Sequence, residues 1–190
     1  MTVASRTTFG GSSGGAQPQI PADRGYLAWT QPPYALSAGS VPTTAGTLYL
    51  RRLRRVPAGQ ATSIITHVVT AGTTLTTGQC FAALFTAAGA LVAQTADQST
   101  AWASTGLKTM TLAGGPYPLT AGDYYVGIWF NGTTGPSIIR SASISTVLTN
   151  AGLTAGNYEA ASANTGLTTT APASVGTQTA QVFEWWFALA

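Results

Sequence analysis

The sequence predicts an all-β protein: an antiparallel β-sandwich, jelly-roll-like, behind an extended N-terminal arm. Three observations carry that reading. The stretch Leu119 to Gly132 reads Leu-Thr-Ala-Gly-Asp-Tyr-Tyr-Val-Gly-Ile-Trp-Phe-Asn-Gly, in which Tyr124, Val126, Ile128 and Phe130 alternate with Tyr125, Gly127 and Trp129. This is the period of two of a strand, rich in β-branched and aromatic residues. About eight short segments of this kind recur between turn signals, and no stretch shows helical periodicity. Finally, only 7% of the 190 residues are charged while 45% are hydrophobic, against roughly 25% charged in ordinary soluble domains. So sparsely charged a surface is built of Thr, Ser, Gly and Ala, and much of it is expected to be covered by other subunits.

A chain of this length buries roughly 70% of its unfolded surface, enough for a core without crosslinks. Residues 1–25 read as an arm and 26–190 as the sandwich domain. The arm contains Gly10-Gly11-Ser12-Ser13-Gly14-Gly15 and then Gln17-Pro18-Gln19-Ile20-Pro21, a flexible linker followed by a stiffer piece. A Gly/Ser tract has too little side chain to repay its own ordering entropy, so another chain is expected to hold the arm. Phe9 and Ile20 are its apolar anchors.

From Tyr26 to Pro42 the chain is an extended lead-in with turns, anchored by Trp29, Pro32-Pro33 and Tyr34. Thr47 to Val56 is the first long strand. Leu48 and Leu50 share a face while Leu53 falls out of phase, which predicts a bulge near Arg51-Arg52. Ser63 to Thr70 forms a second strand, with Ile65, His67 and Val69 on one side and Ile64, Thr66 and Val68 on the other. Gln79 to Thr86 and Ala90 to Thr95 pair as a hairpin across Ala87-Ala88-Gly89, where glycine suits a left-handed position. Asp97 to Thr105 holds one helical turn with Trp102 as a plug, and Leu107 to Leu112 is a short strand.

Both faces of the Tyr124 strand are apolar, so it belongs at the centre of a sheet, covered on two sides or turned on one to a neighbouring chain. Asn131-Gly132 predicts a tight hairpin after it, with Ser137 to Ile144 as its partner. Thr146 to Thr179 reads as a long loop region with a short strand near Tyr158, functional or pinned by a neighbour. Gln181 to Leu189 closes the chain as an aromatic strand. Phe183, Trp185, Phe187 and Leu189 face one way and Val182, Glu184, Trp186 and Ala188 the other, and it is docked inside a sheet or at a subunit contact. Leu119-Thr-Ala-Gly-Asp-Tyr recurs as Leu153-Thr-Ala-Gly-Asn-Tyr, which reads as shared turn chemistry.

Few residues are of a type that does chemistry. Cys80 is the only cysteine, so neither an intrachain disulfide nor a thiolate metal cluster is expected, and it reads as a small core residue. His67 is the only histidine and reads as a packed imidazole, too little for a zinc site. No Gly-x-Ser-x-Gly elbow is present. The carboxylates available to a glycosidase are Asp23, Asp97, Asp123, Glu159 and Glu184, scattered among turns, loops and the aromatic strand. No enzyme, cofactor or metal is expected. The net charge is +3, and setting aside Arg51, Arg52, Arg54 and Arg55 leaves −1. The basicity is therefore one local patch and not a nucleic-acid-binding face. On a strand these arginines project to both faces. They are read as a charged edge, as a contact to acidic groups of a neighbouring subunit, or as a grip on a phosphate-rich wall polymer or nucleic acid. Among the aromatics, Trp102 and Tyr117 lie nearest to loops and are the candidates for stacking on a glycan. The N-terminus lacks the apolar core of a signal peptide, and no run approaches a membrane span. Synthesis in the cytosol without membrane insertion is expected.

Several segments between Tyr49 and Arg140 form an ordered run of motifs. These are the strand after Gly46-Thr47-Leu48-Tyr49-Leu50, Gly78-Gln79-Cys80-Phe81-Ala82-Ala83-Leu84-Phe85 with its Ala88-Gly89 turn, Thr95-Ala96-Asp97-Gln98-Ser99-Thr100-Ala101-Trp102, Gly106-Leu107-Lys108-Thr109-Met110, and Ala121-Gly122-Asp123-Tyr124-Tyr125-Val126 with Asn131-Gly132-Thr133. Together they resemble a β-sandwich domain of minor tail and other virion structural proteins of actinobacterial phages. The resemblance covers about half the chain, and its Ala, Thr and Gly richness fits a high-GC genome. It implies a virion component made in the host cytoplasm, displayed outside the particle, contacting other capsid or tail proteins and assembling as a homo-oligomer, a trimer foremost. It supplies no catalytic residues. The expected function is a minor tail or capsid decoration protein anchored by its arm, with a carbohydrate-binding module for the host envelope as the alternative.

Overall fold

The computed structural model describes residues 19–141 and 148–190. Its strands are β1 (Ala28–Trp29), β2 (Leu36–Ser40), β3 (Leu48–Val56), β4 (Gly59–Ala61), β5 (Ser63–Thr70), β6 (Thr73–Leu75), β7 (Phe81–Thr86), β8 (Leu91–Gln94), β9 (Gly106–Thr111), β10 (Tyr117–Leu119), β11 (Gly122–Trp129), β12 (Gly132–Thr134), β13 (Ser137–Ser141), β14 (Ala160–Ala163), β15 (Thr179–Ala180) and β16 (Ala188–Leu189). One helical turn, α1 (Ser99–Trp102), and two 3-10 turns, Pro21–Arg24 and Pro33–Ala35, interrupt them. Two six-stranded antiparallel sheets pack face to face. The first runs β15-β14-β3-β11-β7-β8, and the second β1-β16-β5-β13-β2 with β9 also paired to β5. The all-β sandwich read from the sequence is the fold.

The main core lies between the sheets. Leu53, Val56, Leu84, Val126 and Ile128 of the first sheet meet Ile64, Val68, Met110, Ile138, Phe187 and Leu189 of the second, all close to fully buried. Trp102 of α1 plugs its end with no exposed surface, the placement its sequence context predicts. A second core covers the far side of the first sheet. There Leu48, Leu50, Phe81, Ala83, Phe85, Tyr125 and Trp129 pack under Tyr158, Leu167, Ala171 and Val175. The aromatic hairpin face of β7 points into this layer, and the β7–β8 turn places Gly89 at φ +87°, where only glycine sits without strain.

β11 lies between β3 and β7, dry on both faces as its composition predicts. Gly127 is the tightest point of the second core. A Cβ there would stand 2.7 Å from Leu48 Cδ1 and 2.9 Å from Phe85 Cε2, closer than packed carbon atoms approach.

The long segment after Asn150 belongs to this same layer. Trp129 Nε1 donates to the Thr168 carbonyl at 3.0 Å, Tyr125 Oη to the Gly156 carbonyl at 3.0 Å, and Asn131 Nδ2 to the Leu167 carbonyl at 2.8 Å. The pinning surface for this region is therefore the chain's own first sheet, and its short strand, β14, falls just after Tyr158.

Three expectations of detail are corrected. The bulge of β3 lies nearer its end. Gly122 pairs with Val56 and Tyr124 with Leu53, so the extra residue falls at Arg54-Arg55, where Arg55 takes φ +52°. Leu53 is in phase with Tyr49 on the inner face, while Leu48 and Leu50 fill the outer core. Asn131-Gly132 does not close a hairpin onto Ser137. β12 pairs β6, and β13 crosses to the second sheet between β5 and β2, because the side chains of Ser137 to Ile139 complete that sheet. The last segment is regular strand only at Ala188–Leu189, with an isolated bridge at Trp185. Its alternation holds all the same, with Trp185, Phe187 and Leu189 in the main core and Trp186 and Ala188 on the opposite face.

Gly127→Ala is expected to lower unfolding stability by about 1–3 kcal/mol through overpacking. Urea unfolding followed by tryptophan fluorescence checks it, and an unchanged midpoint would mean that Leu48 and Phe85 have room to move.

Candidate functional site

The arginine cluster is the most polar feature of the fold, and its partners are internal. Arg52 Nε donates to Asp123 Oδ2 at 3.0 Å, with a second guanidinium contact at 3.0 Å, and its Nη1 reaches the Asn157 carbonyl at 2.9 Å. Arg54 lies 3.6 Å from Asp123 and holds the Glu159 carboxylate in a close ion pair. Asp123 Oδ1 accepts the Arg55 backbone N–H at 2.8 Å, stabilising the bulge. Asp123 and Glu159 thus converge on Arg54, so Arg52 and Arg54 have acidic partners within the chain. Arg55 is exposed and has no side-chain partner among the described residues.

Arg51 differs from the other three. It is 4% exposed on the inner face of β3, its Nη1 donates to the Glu159 carbonyl at 3.2 Å, and its Nε has no partner among the described residues. Burial pushes its pKa down to about 10, against the pull of Glu184 and Glu159. Arg51 and Arg52 are flanked by β11 on one side and by β14 and the residue before it on the other, so the charged-edge reading does not apply to them, while Arg54 and Arg55 lie beyond the end of the β14 pairing.

Of the glycan candidates, Trp102 is fully buried and has no ring face to offer a sugar. Tyr117 is half-buried, and its hydroxyl donates to the Ala113 carbonyl at 2.5 Å. Phe9 lies outside the described residues. Ile20 is 54% exposed and opens the turn Pro21–Arg24, its N–H donating to Asp23 Oδ2 at 3.0 Å. Asp97 accepts the Cys80 N–H at 3.0 Å and the Ser99 hydroxyl. Cys80 is buried, which raises its thiol pKa. Among the described residues no group of His, Cys, Asp and Glu gathers as a metal site.

The outer face of the second sheet is the one large surface feature that sequence reasoning did not assemble. Ile65, Trp186 and Ala188 form its floor, with Tyr26, Trp29, Leu36 and Ile139 packed around them. Tyr26 meets Trp186 edge-on at 6.3 Å. A groove of about 290 Å³ opens there between Arg24, Tyr26, Pro33, Leu36, His67, Leu107, Ile139 and Trp186. None of these residues is acidic. His67 Nδ1 and Trp186 Nε1 are buried without a partner among the described residues. Leu107, opposite His67 in the β5–β9 ladder, is 60% exposed, and Val69 is 40% exposed. The signal in the sequence was the alternation of Ile65, His67 and Val69 with a second apolar set, which marks β5 as apolar on both sides.

No family model matches the chain, and neither a curated protein nor a solved structure is found to match it.

The buried arginine makes stability depend on pH. The folded pKa lies below that of the unfolded chain, so the folded state releases the proton first and stability rises with pH above about 10. Relative to Arg51→Met, the parent is expected to gain stability between about pH 9 and pH 11, read from urea midpoints at each pH. A difference that stays constant would show that Arg51 keeps its proton throughout.

Proposed function

We propose that this chain is a non-enzymatic structural protein of a phage virion, a minor tail or capsid decoration component. It is anchored to the particle by its N-terminal arm, displayed on the exterior, and assembled with other copies and with other virion proteins. The observation that carries this reading is the contrast between the two outer faces of the sandwich. One is roofed by the chain's own residues, while the other presents an apolar groove and exposed Leu107 to its surroundings. Uncovered apolar area of this kind is a mark of an interaction surface. The internal ion pairs of Arg52 and Arg54 with Asp123 and Glu159 add to it, since they satisfy two of the four clustered arginines within the chain. The particle context comes from the resemblance of the ordered motifs between Tyr49 and Arg140 to phage virion β-sandwich domains. Recognition of a host-surface glycan is the weaker reading, since Trp102 is buried and Tyr117 alone remains for it.

Deletion of residues 1–22 is expected to leave a folded β-protein by circular dichroism that no longer co-purifies with particles. Immunoblotting of gradient-purified particles checks it. Full incorporation of the truncated chain would remove the arm from the anchoring role.

A further inference from the structure

We propose that the groove face of the second sheet is the contact surface for a second copy of this chain, in a two-fold arrangement in which Ile20 and Tyr34 of each copy enter the groove of the other. The inference rests on reading the chain as an assembled subunit and adds which surface assembles and with what symmetry. Five large apolar side chains are exposed among the described residues. Four of them belong to this region. Val69 and Leu107 lie on the sheet face itself, at 40% and 60% exposure, and Leu107 lines the groove. Ile20 and Tyr34, at 54% and 71%, stand on the two 3-10 turns whose Arg24 and Pro33 form the groove walls.

The same face therefore carries both projecting apolar side chains and a hollow of about 290 Å³ that can receive them. A patch holding both halves of a fit pairs with itself, which is the isologous contact of a two-fold axis. A three-fold ring, the assembly foremost in the sequence reading, needs two different surfaces that complement each other.

The rim repeats the pattern in charge. Asp23 and Arg24 are adjacent, exposed and not paired with each other. The Asp23 carboxylate accepts only the Ile20 N–H, and the Arg24 guanidinium reaches only Gln19 Oε1 at 3.0 Å, among the described residues. Across a two-fold axis, Asp23 of one copy faces Arg24 of the other, twice. The groove lining holds no acidic residue, and its one permanently charged side chain, Arg24, stands at the exposed rim where Asp23 of the other copy meets it.

Sedimentation velocity of the full chain from about 1 to 100 µM tests this. The expected species is a dimer, or an even multiple of one. Leu107→Arg, a change at an exposed position, is expected to give a folded monomer. Asp23→Arg and Arg24→Asp are each expected to dissociate the dimer through like-charge contacts, and mixing the two variants to restore it, because both cross-contacts return in the mixed pair. A monomer throughout, or an oligomer indifferent to all three changes, overturns the proposal. Dissociation by Leu107→Arg without rescue in the charge-swapped mixture overturns the two-fold arrangement. A chain that dimerises through this face but is absent from particles would refute the virion role and leave this inference standing.

Discussion

The requirement that β11 be dry on both sides organises the fold. Its inner residues Tyr124, Val126 and Ile128 need the second sheet against them, and its outer residues Tyr125 and Trp129 need a roof. The same holds for β3, whose Tyr49 and Leu53 point inward while Leu48 and Leu50 point outward. A sandwich satisfies the inner faces by stacking its two sheets. The outer faces have no second sheet, so the chain after Asn150 is laid over them as irregular backbone and fastened by hydrogen bonds to buried side chains. This explains a long Thr/Ala/Gly/Asn stretch within a folded domain. Small residues let the backbone approach the sheet closely, and the indole and phenol donors of Trp129 and Tyr125 satisfy carbonyls that a dry layer would otherwise strand.

The sparse charge of the chain follows the same economy. Where two sheets and a roof leave little wet surface near a central strand, a row of arginines is tolerable only if it is neutralised locally. Asp123, at the start of β11, and Glu159, just before β14, flank β3 and supply counter-charges to Arg52 and Arg54. Arg51, one residue earlier and turned inward, receives only a carbonyl and distant carboxylates. Burial lowers its pKa, because the cation is taken out of water with a carbonyl and no carboxylate in contact with it. The bulge at Arg55 belongs to this arrangement, because Asp123 binds its backbone N–H and an arginine side chain together.

Among the described residues, the outer face of the second sheet has no such roof. It is floored by the buried Trp186 and Ala188, edged by the Pro21–Arg24 and Pro33–Ala35 turns, and lined by half-buried side chains with Leu107 and Arg24 exposed. The two halves of the molecule thus differ in kind. One outer face is closed by intrachain packing and polar pinning, and the other is apolar, concave and framed by projecting side chains.

Much of this was legible in the sequence. Strand positions followed from period-two alternation and turn residues, since a pleated backbone imposes that period wherever a face is buried. Two-sided burial of β11, the Trp102 plug, the β7–β8 hairpin and the alternation of Trp185 to Leu189 were read correctly for that reason. Partner choice was not legible, because alternation says which way a side chain points but not which strand lies beside it. β13 therefore crossed to the other sheet instead of folding back, and Arg52 and Arg54 found acids 71 and 105 residues away. The groove depended on tertiary structure even more. Arg24, His67, Leu107, Ile139 and Trp186 come from five separate segments, and only the pairing of β5 with β9, β13 and β16 sets them on one surface.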